Sequence, residues 1–240
     1  MKSATSILLA FALLAMPLPI TANPLMVLAG TKHAAASAYE LAETFEGSNT
    51  DSQGETGYDL TGWTSSIAGN TPRYTTSPAP LAGTYSWLPG TNGYLQRNFT
   101  TSGSFAAVYV RFVTTSQTAN DSIIVIRDGS GVLASAQLRA TNLIRVQCAA
   151  GAQSSGTTAC ADSTEYHAWL EYTAGSGANA VVNFYLSTTS TKPGSPTLSI
   201  TNGSATANAT NARIAAGSTT VVVFDNFVMD GTQAIGSAPL

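Results

Sequence analysis

The sequence predicts an all-β protein built as a sandwich of antiparallel sheets. Three observations carry that prediction. Several stretches alternate apolar and polar side chains with period two, as a half-buried strand requires. The clearest sets Ala106, Val108, Val110 and Phe112 against Tyr109 and Arg111. Turn residues recur at short intervals between these stretches. No stretch shows the 3.6-residue period of an amphipathic helix, although Thr210–Ala216 has room for a single turn.

Taken in order, the chain opens with Lys2, the apolar run Ile7–Met16, then Pro17, Pro19 and small residues. That is the pattern of an export signal. Residues 1–22 are the expected signal, with an alternative end after Ala38, behind the Ala36-Ser37-Ala38 triplet. The run is shorter than the roughly 20 residues of a membrane span; an uncleaved anchor is the rival reading. Residues 23–38 are expected to be a flexible segment, 39–235 a single domain and 236–240 a tail. Export implies a secreted, periplasmic or cell-surface protein with no membrane insertion after cleavage.

Glu40–Glu46 reads as the first strand, anchored by Leu41 and Phe45. A polar loop, Gly47–Gly57, leads to a strand over Tyr58–Thr64 and the Gly69-Asn70 turn. Ser77–Gly83 is a proline-rich loop that no helix interior accepts. Thr84–Leu88 and Tyr94–Phe99 are short strands around Pro89-Gly90. Ser104–Thr115 is the longest strand. Asp121–Arg127 and Val132–Arg139 flank Asp128-Gly129-Ser130-Gly131, a hairpin turn, and Leu143–Cys148 follows. Tyr166–Tyr172 and Val182–Leu186 form a further hairpin. After the loop Ser190–Pro196 and the polar stretch Asn202–Asn211, Thr219–Met229 is the last strong strand.

Cys148 and Cys160 enclose 11 residues rich in Gly, Ala, Ser and Thr. In an oxidising compartment the expected outcome is a disulfide closing this loop, worth about 3 kcal/mol on loop entropy. No Cys/His spacing suits zinc.

Charged residues are 10% of the 240 and the net charge is −3. A low, balanced charge gives nucleic acid no basic patch to bind. The candidate ligand surface is a polar and aromatic set on the strand faces turned from the apolar one: Tyr109, Arg111, Arg139, Arg145, Gln147, His167, Trp169, Glu171, Asn183 and Tyr185. A sugar needs an aromatic platform for its C–H face, which Trp169 or Tyr185 offers, and planar polar groups for its hydroxyls. An ordinary solvated sheet face is the alternative. Period-two spacing places each set on one side of its own strand; it does not place the sets on one sheet. No catalytic residue is assigned. Glu165 and Glu171 lie roughly 20 Å apart along a strand, too far for paired-carboxylate hydrolysis. No G-x-S-x-G elbow or phosphate loop is present.

The succession TFEG, GWT, APLAGTYS, EYHAWLEYTAGSGANAVVNFYLS and VVVFDNFVMDG, from Leu41 to Gly231, resembles the concanavalin A-like lectin/glucanase superfamily, in particular its laminin-G-like jelly rolls. The resemblance implies two curved antiparallel sheets with ligands on the concave sheet or its rim. It also implies a structural calcium where the first and last strands meet, with Glu46 and Asp225 as its carboxylates and Asp230 as a further candidate. Galactose-binding-type modules are the nearest alternative fold. The superfamily's hydrolytic E-x-D-x-x-E and lyase Y-F-K-A-G patterns are absent. The expected function is therefore an exported, non-catalytic carbohydrate-binding or adhesion module for a glycan. The alternatives are a structural component of an extracellular or virion assembly, and a glycoside hydrolase or polysaccharide lyase with atypical residues.

Overall fold

The structure, a computed structural model, describes residues 39–45, 49–50, 56–58, 63–66, 73–75, 86–88, 93–116, 120–140, 142–149, 151–215 and 221–237. The expected leader and Glu46 lie outside them. The described residues hold strands and no helix. In chain order these are β1 (Leu41–Glu43), β2 (Asn49–Thr50), β3 (Thr56–Tyr58), β4 (Trp63–Ser66), β5 (Arg73–Thr75), β6 (Ser86–Leu88), β7 (Tyr94–Gly103), β8 (Phe105–Ser116) and β9 (Asp121–Arg127). They continue with β10 (Val132–Leu138), β11 (Leu143–Cys148), β12 (Ala152–Ala159), β13 (Glu165–Thr173), β14 (Ala180–Ser187), β15 (Leu198–Gly203), β16 (Ala209–Ala215) and β17 (Val221–Asp230).

Two antiparallel sheets pack as a sandwich, as the alternation requires. The eight-stranded sheet runs β15-β14-β13-β8-β17-β6-β5, with β1 also on β17. The seven-stranded sheet runs β12-β11-β10-β9-β16-β7-β4. Phe112, Leu170, Phe184, Phe224 and Phe227 of the first meet Leu95, Ile124, Ile126, Val146 and Ile214 of the second in one core. Burial of this apolar surface is the main force holding the sheets together.

Phe224 and Phe227 differ by three positions, so a regular strand would point them to opposite faces. The register of β17 against β8 shifts between Asp225 and Val228. Asn226 takes a positive φ of 49° there, a conformation Asn tolerates better than most residues. The bulge returns Phe227 to the core and sends Asp225 and Val228 outward, opposite Arg111 and Tyr109.

The expected strand over Tyr58–Thr64 lies partly outside the described residues; of it, Tyr58 belongs to β3 and Trp63 and Thr64 to β4. Two expectations are corrected. The turn considered at Thr210–Ala216 is instead strand β16, between β9 and β7. Its small residues Ala209 and Ala212 fill the crowded centre of the sandwich beside Ile214. The cysteine loop is mostly strand β12, and this forbids the disulfide. Cys148 pairs with Ala152 at one end of the β11–β12 hairpin. The Cys160 amide donates to the Asn142 carbonyl at the other. That separation is about 20 Å along the strand, whereas bridged Cα atoms lie within about 7 Å. Both thiols are free and buried. Burial raises the Cys160 pKa to about 12 and pushes the Cys148 thiol upward as well. Gly203 packs so closely on the Cys148 side chain that any Cβ there would collide with it.

Candidate functional site

The register of β8, β13 and β14 gathers most of the sequence-nominated residues on the outer face of the eight-stranded sheet. Trp169 sits between Tyr109 and Tyr185, His167 beside Arg111, and Glu171 beside Asn183. The Arg111 guanidinium grips Glu165 through both oxygens, at 2.8 and 2.7 Å. His167 Nε2 lies 3.1 Å from the same carboxylate, and Tyr109 Oη lies 2.8 Å from Nδ1. These partners assign the tautomer: Nε2–H donates to Glu165 and Nδ1 accepts from the phenol.

The electrostatics follow from burial and pairing. Burial lowers the His167 pKa, against the pull of Glu165. Burial also raises that of Tyr109. For Glu165, burial acts upward but the Arg111 hydrogen bonds and charge outweigh it, and the carboxyl is held below its ordinary value. Arg111 is disfavoured by burial, yet Glu165 and then Asp225 hold its charge above the ordinary range.

This face is covered. Trp169 is 1% exposed and Tyr109 0%. The indole Nε1–H donates to the Gly236 carbonyl at 2.9 Å, and Ile235 packs with Tyr109, Trp169 and Val228 in a second hydrophobic cluster. The Tyr39 hydroxyl accepts from the Gly236 amide. Lys192 closes the other flank: its Nζ lies 2.5 Å from Glu171, donates to the Ile235 carbonyl and sits 4.3 Å above the Tyr185 ring. The Tyr185 hydroxyl donates to Glu171; burial, then Glu171, raises its pKa to about 12. Asn183 accepts from Ser199. The open platform expected at Trp169 is therefore corrected to a ring packed beneath the segment after β17.

Of the residues considered for calcium, Glu46 lies outside the described residues. Asp225 is fully buried and its Oδ1 accepts from the Asn226 amide. Asp230 accepts from Thr232 and Gln233. Among the described residues no three His, Cys, Asp or Glu side chains cluster as a metal site. Asp225 and Asp230 serve the bulge and the following turn.

Arg145 and Gln147 stand on the other sheet, and Arg139 lies just after its strand β10. There the paired positions form a row across the strands: Gln153, Gln147, Ser135, Val125, Arg213, Gln96 and Thr64. Beside it, Arg145 is paired with Gln137 and donates to the side chains of Gln137 and Gln153. Gln137 in turn donates to Ser122. Arg213 donates to Gln96 at 2.6 Å and lies 3.9 Å over the Tyr94 ring. Burial and then Arg127 lower the Arg213 pKa, which sets two guanidinium groups near one another. Sequence reasoning missed Arg127, Arg213, Gln96 and Tyr94. The alternation of Asn211 and Arg213 with Ala212 and Ile214 is the signal that could have found β16.

No protein-family model matches the chain, and no curated protein matches it in sequence. Solved structures do resemble it. An endo-β-1,4-glucuronan lyase from the fungus Trichoderma reesei superposes with a TM-score of 0.57 at 11% identity, covering 81% of this chain and 96% of that one. The PL-14 alginate lyase from Aplysia kurodai gives 0.56 at 7% identity, covering 80% and 99%. A sialidase gives 0.52 at 12% identity over 73% of this chain but only 17% of its own. At such identities the likeness is one of fold, and the chain shares its β-sandwich with two polysaccharide lyases and with part of a sialidase.

Proposed function

We propose that this chain is an exported, non-catalytic carbohydrate-binding or adhesion module of the concanavalin A-like type, and that the outer face of its seven-stranded sheet contacts the glycan. The planar polar side chains in the row, Gln153, Gln147, Arg213 and Gln96, carry the reading. Amide and guanidinium groups present fixed donors, and amides also fixed acceptors, to neighbouring sugar hydroxyls. Rigid strands hold them in place. The seven strands contain one acidic residue, Asp121, so they offer no carboxylate pair for hydrolysis among the described residues. On the opposite sheet Glu165 is committed to Arg111 and Glu171 to Lys192.

Screening the whole chain against a glycan array tests this. Saturable binding is expected, weakened about tenfold, or roughly 1.4 kcal/mol, by Gln147→Ala without a change in melting temperature. Absence of any bound glycan, with self-association in size-exclusion chromatography, would favour the assembly-component reading.

Glycan cleavage is the second reading. The two lyases among the structural neighbours and the hydrogen-bonded Tyr109–His167 pair favour it. The near-complete burial of both groups weighs against it, because a base must reach the proton it removes. Ultraviolet absorbance from an unsaturated sugar end, lost in His167→Gln, would establish it.

A further inference from the structure

The outer face of the seven-stranded sheet holds three buried side-chain atoms without hydrogen-bond partners: Arg127 Nε, Ser135 Oγ and Asn211 Oδ1. They are neighbours. Arg127 and Asn211 are paired directly across β9 and β16. Ser135 is paired with Val125, two residues before Arg127 on the same face. Leaving such buried atoms unpaired destabilises the fold, and native structures hold few of them without a reason.

The surroundings say what would satisfy them. Arg213 lies two residues beyond Asn211 on the same face, and Arg127 acts on it as a like charge. The strands of this sheet carry four arginines against the single Asp121. Asp121 lies at the opposite end of β9 from Arg127. Asp128, next in sequence to Arg127, is occupied in its turn: its Oδ1 accepts from the Ser130 amide at 2.9 Å and the Gly131 amide at 2.5 Å. The Arg127 head group donates to the Ser130 carbonyl, which is neutral. Two guanidinium groups thus stand near one another with no carboxylate between them among the described residues.

We infer that this corner binds the acidic group of a sugar acid, a glycan unit bearing a carboxylate beside free hydroxyls. The inference rests on the reading that this face binds glycan, and names the class of glycan. The guanidinium fork matches a carboxylate in geometry and charge, and the Ser135 hydroxyl adds a donor. Asn211 separates a sugar acid from a bare anion. Its orphan Oδ1 is an acceptor, which repels an oxyanion and takes a hydroxyl proton. A ligand that satisfies all three atoms offers both an anionic oxygen and an O–H.

Calorimetric titration of the whole chain at fixed ionic strength tests this with three probes: a glucuronate oligosaccharide, a glucose oligosaccharide of equal length, and sodium sulfate. The acidic oligosaccharide is expected to bind at least tenfold more tightly than the neutral one. Arg127→Gln should bring that ratio close to one, and Arg213→Lys, which keeps the charge, should retain most of it. Melting curves identify any variant that fails to fold; the wild-type ratio and its decline with added salt then decide alone. Equal affinity for the two oligosaccharides overturns this inference and leaves the glycan reading standing. No binding of either overturns both. Sulfate that binds as tightly as the acidic oligosaccharide marks a plain anion site and overturns the assignment of Asn211.

Discussion

His167 shows how one residue's surroundings set its role. In the sequence it stood only as one member of the candidate ligand surface. In the fold it bridges Tyr109 and Glu165 within hydrogen-bond distance of both, and its ring stacks 6.2 Å from that of Trp169. Burial holds its pKa below the ordinary 6.5, and Arg111 holds that of Glu165 below 4.5 despite burial. Where a folded-state pKa is depressed, the unfolded chain binds the extra proton and acid favours unfolding. The neutral His167 therefore stabilises fully above pH 6.5, and its contribution is lost as pH falls through the depressed value. The ionised Glu165 follows in the carboxylate range. The melting temperature should be level above about pH 7 and decline from about pH 6.5 downward. In His167→Gln the decline should begin only where carboxylates protonate. A melting temperature that rises on acidification, or an unchanged profile in the variant, would contradict the tautomer and the pairing.

At the scale of elements, the strands readable from sequence were those whose bulky side chains announce a core face. Asp121–Arg127 and Leu143–Cys148 have the expected bounds, because Ile, Val and Leu alternate or cluster in them. β12 and β16 were hidden for one physical reason. Most of their inward positions hold small residues, Ala152, Ser154 and Gly156 in β12 and Ala209 and Ala212 beside Ile214 in β16, which give little hydropathy contrast, while backbone pairing to a neighbour makes the strand. The candidate face divided along the same line. Period-two spacing was enough to group His167 with Trp169 and, separately, Tyr109 with Arg111, but no local rule joins the two strands or shows that Gly236 lies over the indole 67 positions away in sequence. The β11–β12 hairpin makes a chemical prediction. With its cysteines at opposite ends, unfolding the protein without reductant should let an alkylating reagent label both thiols. A mass that requires reductant before labelling would refute the hairpin register.

Across the whole molecule, charge is divided between the sheets. The strands of the seven-stranded sheet carry Arg97, Arg127, Arg145 and Arg213 against Asp121, whereas those of the eight-stranded sheet hold Glu43, Glu165, Glu171, Asp225 and Asp230 against Arg73 and Arg111. A net charge of −3 conceals this, because the sequence order interleaves strands that the topology separates. The all-β sandwich was legible from alternation and turns; the covering of Tyr109 and Trp169 was not, since that depends on the segment after β17 and on Lys192 packing across strands distant in sequence. Chemical-shift mapping of a bound oligosaccharide on the folded, unmodified chain measures the proposed division directly. Perturbed signals should gather at Gln147, Ser135, Arg127, Arg213 and Gln96. Perturbations gathered instead at His167, Trp169 and Tyr185 would place the ligand on the opposite sheet and contradict the account.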